Sequence, residues 1–294
     1  MRRDALMGAG FRSISMGKTW LITGTTRGMG VAIAKAALEA GDRVVATGRR
    51  VEAIQQALGT QTGSLLAVEL EVGDASQAAE AAQAAVARFG GIDVLVNNAG
   101  YGHMGFFEEL ELADAQAQLA TNLFGAFNVT WAVLPLMRAA RRGHIFNVSS
   151  LGGLVGGELA SLYCASKFGL EGFSECLARE VQPFGIGVTI VEPGPFRTEF
   201  LSSESLRFGG HPIADYDQRR QQLRQGFEGR SGQQPGDPAR LAAALVQLAG
   251  QPDPPLRFLA GAMAVEAATT KLNGMLAEIA RWRELSIGTD AALG

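Results

Sequence analysis

Tyr163 and Lys167 stand four positions apart in SLYCASKFGL, residues 161–170. The stretch is rich in Ala, Leu and Phe, so it reads as helix and places both side chains on one face. A phenol with a pKa near 10 can give a proton to a carbonyl oxygen at neutral pH, but it takes one back poorly. An ammonium one helical turn away would stabilise the phenolate. Moving the phenol down by three units takes about 4 kcal/mol, which only a site sheltered from water could supply. With so few Tyr and Lys in the chain, about 4% of shuffled sequences would contain such a pair, so its weight depends on its neighbours. Ser150 ends the run HIFNVSS upstream of Tyr163, where its hydroxyl could hold the same substrate oxygen. No Gly-x-Ser-x-Gly elbow surrounds it, so it is not read as a nucleophile.

These residues need a scaffold, and the sequence outlines one. Short Val- and Ile-rich runs alternate with helical patterns: TWLIT, GVAIAKAALEAG, RVVAT, a helix from about Val51, LLAVEL, an Ala-rich helix over 75–89 and IDVLVN. A long helix over about 113–141, HIFNVSS, the helix of Tyr163 and VTIVEP complete the series. Six strands before residue 195 joined by crossover helices predict an α/β, doubly wound (Rossmann) fold, with a mainly parallel sheet and helices on both faces. Residues 1–17 read as a flexible leader, 18–260 as a single domain and 261–294 as a C-terminal helical extension. Residues 199–237 break the pattern with six Gly, so a loop over about 199–235 is expected to cover the substrate. Phe200, Leu201, Leu206, Phe208, Ile213 and Phe227 in that loop point to a partly apolar substrate. The final stripe of Val265, Ala268, Leu272, Met275, Leu276, Ile279 and Trp282 predicts core or subunit contact.

Composition narrows the function classes. A chain of 294 residues with 47% hydrophobic content, 38 Gly and a formal charge of −3 is globular and lacks a basic footprint for nucleic acid. No stretch is apolar enough for a signal peptide or a membrane span, so a soluble, cytoplasmic protein is expected. Cys164 and Cys176 fall on one predicted helix, roughly 18 Å apart along its axis, and are read as free thiols. With His103, His144 and His211 scattered along the chain, no metal site is expected.

TGTTRGMG, residues 23–30, lies between the first strand and the first helix. Gly24 suits a tight turn, Gly28 a close approach of backbone to a pyrophosphate, and Gly30 the packing of helix on strand. Further ordered motifs are NNAG at 97–100, Asn122 in TNLFGAF, Ser150 in NVSS, Tyr163 and Lys167 in YCASK, and EPGPFRT. With these the chain resembles the classical short-chain dehydrogenase/reductase family, from about Lys18 to Phe258. The resemblance implies that Tyr163 is the general acid/base and that Lys167 also grips the nicotinamide ribose. Ser150 would hold the substrate oxygen, and Asn122 would order a water that feeds protons to Lys167. It further implies a cofactor pocket built from Gly24, Thr25, Thr26, Arg27, Gly28, Met29 and Gly30. Glu71 and Val72 would meet adenine, Asn97 and Gly100 would close the pocket floor, and Pro193, Gly194, Phe196 and Thr198 would adjoin the nicotinamide. Many relatives dimerise through two long helices, here about 113–141 and 160–182. A homodimer is therefore expected, and the absence of the usual VDGG segment puts a tetramer in doubt.

The second strand ends VVATGRR. Gly48 takes the place where an NAD site carries an acid, and Arg49 follows, flanked by Arg50, with Arg27 inside the glycine loop. Guanidiniums there would pair with a 2′-phosphate, so NADP(H) is the expected cofactor. The sequence therefore predicts an NADP(H)-dependent oxidoreductase that exchanges hydride with a carbonyl or secondary alcohol, favouring reduction of a ketone or aldehyde. The alternative is a non-catalytic NADP(H)-binding redox sensor, which would have no use for Asn122, Ser150, Tyr163 and Lys167 together.

Overall fold

The computed structural model describes residues 17–201, 205–229 and 232–291, so the expected leader lies outside it except at Gly17. Strands β1 (Thr19–Ile22), β2 (Arg43–Gly48), β3 (Leu65–Glu69) and β4 (Val94–Asn97) precede the short β5 (Gly102–Met104). β6 (Gly143–Val148), β7 (Ile186–Pro193), the short β8 (Leu206–Phe208) and β9 (Arg257–Ala260) follow. Seven of them form one sheet in the order β3-β2-β1-β4-β6-β7-β9, with every pairing parallel. The six strands expected before residue 195 are all in it. β5 and β8 pair apart from it as a parallel ribbon.

The strands read as unbroken apolar runs because helices cover both faces. Trp20 and Ile22 face one cluster, built with α1 (Gly28–Glu39), α2 (Val51–Leu58) and α8 (Pro238–Leu248). Leu21 faces the other, built with α3 (Ala75–Phe89), α5 (Gly125–Ala140) and α6 (Ser161–Val181). Ala78, Ala81, Ala82 and Ala85 let α3 lie close to the sheet. The Asp74 carboxylate caps that helix by accepting from the backbone N–H groups of Ser76 (2.8 Å) and Gln77 (3.2 Å).

The long helix expected over 113–141 is one helical run with an interruption. α4 (Leu112–Leu119) passes through a π-helical turn at Ala120–Phe124 into α5. Such a turn inserts a residue and re-aims its side chains, and Asn122 lies in it. By length and composition 112–140 is also the one described helix apolar enough to cross a membrane. In this chain Val129, Val133 and Met137 on it are core residues.

One expectation is corrected, and another is narrowed to one of its two alternatives. The segment after residue 199 is not a featureless loop, since it contains β8 and α7 (Asp217–Glu228). α7 carries DQRRQQLRQGFE, too polar to show an apolar stripe at helical spacing. The stripe on α9 (Ala262–Ile287) is not core of this chain: Leu276 is 63% exposed, Ile279 62% and Trp282 52%, while Ala264 and Ala268 alone are buried. The helix runs past the body it packs on, and among the described residues nothing covers the rest of its apolar face.

Candidate active site

A cleft of about 470 Å³ opens at the carboxyl ends of β1, β2, β4, β6 and β7, the edge at which open α/β sheets bind ligands. One end is formed by the glycine loop and the residues after β2 and β3. At that end Thr26, Arg27, Gly28, Met29, Arg49, Glu71 and Val72 line the wall. Gly24 has φ +71°, a left-handed conformation that excludes most side chains. A Cβ on Gly30 would come within 2.2 Å of the Gly24 carbonyl oxygen. The loop therefore turns and packs as a dinucleotide cradle requires. α1 has no side-chain cap at Arg27 and no acidic residue in its first turn, whereas α3 and α8 are capped by Asp74 and Asp237. Its first turn thus supplies no carboxylate of its own at the N-terminus, and the nearby Glu199 Oε2 lies 3.8 Å from where a Cβ on Gly28 would stand. Arg50 does not line the cleft.

Not every expected contact residue faces this cleft. Thr25 is fully buried, and its N–H and hydroxyl both donate to the Thr47 carbonyl, so it ties the loop to β2. Asn97 points into the protein, donating to Thr130 Oγ1 (3.0 Å) and Asn147 Oδ1 (2.8 Å). Its neighbour Asn98 takes the cleft side and donates to the carbonyls of Thr23 (2.8 Å) and Gly24 (3.2 Å), fixing the glycine loop. Pro193 and Gly194 abut Ala260 on β9, and Gly194 donates to its carbonyl. The ring of Phe196 packs on Gly236 and lines a separate depression. Thr198 does line the cleft, with Phe200 beside it.

The other end brings the chemical groups together. The Ser150 hydroxyl accepts from the Gly152 N–H at 3.0 Å and hydrogen-bonds the Tyr163 phenol. Lys167 Nζ lies 5.9 Å from the Tyr163 ring centroid and donates to the Val148 carbonyl at 2.8 Å. Gly100 sits where a Cβ would be 3.1 Å from Asn122 Oδ1 and 3.6 Å from Lys167 Nζ, so the backbone passes between them. Asn122 accepts from the Tyr101 N–H (3.0 Å) and donates to the Tyr101 carbonyl (2.9 Å) and Ser166 Oγ (3.1 Å).

Electrostatics here differ from the sequence expectation of a stabilised phenolate. Burial pushes the Tyr163 phenol up to about 12, against the downward pull of the Ser150 hydrogen bond. Burial also brings Lys167 down to about 8, against the upward pull of the Glu171 carboxylate one turn on. Desolvation dominates at both groups, so at neutral pH Tyr163 is a neutral acid and Lys167 is largely an ammonium.

Behind this end lies a group that no motif signalled. Arg257 at the start of β9 donates through Nη1 to Glu171 Oε2 and Glu192 Oε1, both at 2.5 Å, and through Nη2 to Glu175 Oε1 at 2.5 Å. Glu171 and Glu192 are buried. Burial, then the Glu171 carboxylate, pushes Glu192 up to about 7 despite Arg257.

Comparison with known proteins agrees with this geometry. A model of the short chain dehydrogenase family matches residues 18–207. Oxidoreductase BOA17 of Botryotinia fuckeliana is 39% identical over 277 residues, covering 93% of this chain and 100% of that protein. A short-chain dehydrogenase from Streptomyces avermitilis superposes with a TM-score of 0.83 at 39% identity, over 93% of this chain and 100% of that one. A metagenomic short-chain oxidoreductase solved in complex with NADP superposes with a TM-score of 0.64 at 29% identity, over 82% and 96% of the two chains.

Proposed function

Because the chain belongs to the short-chain dehydrogenase family and is an oxidoreductase by that membership, we propose that it reduces a ketone or aldehyde with NADPH, using Tyr163 as the proton donor. The observation that carries this reading is that Tyr163 and Lys167 line the cleft whose far wall is the glycine loop, with Ser150 hydrogen-bonded to the Tyr163 phenol and Asn122 behind Gly100. The bound dinucleotide would supply hydride at its nicotinamide. Gly24, Thr26, Gly28 and Met29 would hold its pyrophosphate, Arg27 and Arg49 its 2′-phosphate, Glu71 and Val72 its adenine, and Lys167 and Thr198 its nicotinamide end. Ser150 holds the carbonyl oxygen of the substrate, and Tyr163 delivers a proton to that oxygen. Lys167, as an ammonium, then sits beside the phenolate left behind and stabilises it until a proton returns. Asn122 fixes the loop of Tyr101 that borders this end.

Two observations support NADP(H) over NAD(H): Arg49 lines the cleft, and Gly48 ends β2 where an NAD site carries an acid. Arg49→Ala is expected to raise the KM for NADPH roughly 10- to 100-fold and to leave that for NADH nearly unchanged. Initial-rate kinetics with both cofactors check this, and an equal effect on the two would count against the assignment.

We place the enzyme in the cytoplasm as a homodimer. The free thiols Cys164 and Cys176 support a reducing compartment. Trp131 and Phe168, exposed on α5 and α6, and the bare apolar face of α9 support self-association. Light scattering is expected to give twice the mass of the chain, and a monomer would contradict it.

A further inference from the structure

The lid over the Tyr163 end carries many charges, and most are matched. Glu109 pairs with Arg220, which also meets Asp217, Glu111 with His211, Asp114 with His103, and Glu158 with Arg219. Arg207 on β8 has no carboxylate partner among the described residues. It lines the cleft together with Tyr163, Lys167, Phe200 and Tyr101. Its guanidinium carbon lies 5.0 Å from the centroid of the Tyr101 ring. Stacking of this kind uses the flat face of the guanidinium and leaves the N–H donors along its edge available to a planar oxyanion.

The stacking platform is not loose. Tyr101 is clamped at its N–H and carbonyl by Asn122, and its carbonyl also accepts from Gln118 Nε2 at 2.6 Å. β8 is held to β5 in the register His103↔Arg207. The cation is thus fixed relative to the proton donor by the same asparagine that borders Lys167. Arg27 and Arg49 lie at the opposite end, beside Glu71, and are not its neighbours. A single guanidinium among Ala117, Ala120 and Phe200 suits a carboxylate on an otherwise apolar body, whereas a phosphate dianion would ask for a second cation.

We propose that Arg207 binds a carboxylate of the substrate, making the substrate an oxo acid whose carbonyl is presented to Tyr163. This rests on the carbonyl-reductase reading above. The test is a series of straight-chain oxo acids with increasing separation of carbonyl and carboxylate, each paired with its methyl ester and followed by NADPH oxidation. The best acid is expected to exceed its ester in kcat/KM roughly 10- to 100-fold, and Arg207→Gln is expected to bring that ratio close to one. Arg207→Lys, a cation without the planar fork, should restore part of it. Esters reduced as well as acids throughout, or a ratio that survives in Arg207→Gln, would overturn the proposal. Calorimetric binding of the same acids to NADP⁺-loaded Tyr163→Phe protein separates the two readings. Binding that Arg207→Gln abolishes supports the anion site even if no acid is turned over. Binding by no acid at all overturns it, whatever the fate of the reductase assignment.

Discussion

Tyr163→Phe is expected to slow carbonyl reduction by about 100- to 10,000-fold, the usual worth of a positioned general acid. NADPH binding should stay close to that of the unaltered chain. The substitution removes a hydroxyl and keeps the ring, whose centroid lies 5.8 Å from that of Phe200 and whose edge is packed against Gly152. The glycine loop and Arg49 are untouched at the other end of the cleft. Steady-state rates report the first part, and quenching of protein fluorescence by NADPH reports the second. Activity close to the unaltered level would place the acid elsewhere. Loss of cofactor binding would mean that the ring had moved and that the rate says nothing about the proton.

The second large effect concerns stability. Arg257→Ala should cost about 3 to 5 kcal/mol, because it leaves the buried carboxylates of Glu171 and Glu192 without the cation between them. For a domain of this size that corresponds to a fall in Tm on the order of 10 °C. The sign of the pH dependence follows from Glu192, raised from 4.5 to about 7 in the folded chain. Between those values the folded state holds more protons than the unfolded one, so stability falls as pH rises through that window. Without Arg257 the carboxyl is raised further, and the fall becomes steeper and extends to higher pH. Urea titrations of both proteins at pH 5, 6, 7 and 8 check this. Equal stabilities, or parallel profiles, would show that the guanidinium does not offset the buried charge.

Much of the scaffold was legible because buried parallel strands are continuous Val- and Ile-rich runs and their helices are long. Tyr163 and Lys167 were legible because helical spacing alone puts them on one face. What escaped has physical reasons. Asn97 and Asn98 are adjacent at a strand end, where side chains alternate, so the pattern says that one turns inward but not which. The π-helical turn at Asn122 is one residue of slippage inside a single helical run, and it leaves the period on either side intact. α7 has no apolar stripe to find. Arg207 lies on a three-residue strand, and Arg257 acts on carboxylates distant in sequence, so neither leaves a local signal. The α9 stripe has the right period for a buried helix, but period cannot tell whether the surface it faces belongs to the same chain.

The central claim is that this cleft transfers a hydride to a carbonyl carbon while Tyr163 protonates the oxygen. It is tested most directly with NADPH carrying deuterium at both C4 positions of the nicotinamide, incubated with a panel of aldehydes, ketones and oxo acids and analysed by mass spectrometry. The prediction is an alcohol with one deuterium on the carbinol carbon, formed by the unaltered chain and reduced to trace amounts with Tyr163→Phe. Tight NADPH binding with no deuterated alcohol from any member of the panel would contradict the account and favour a cofactor-binding sensor.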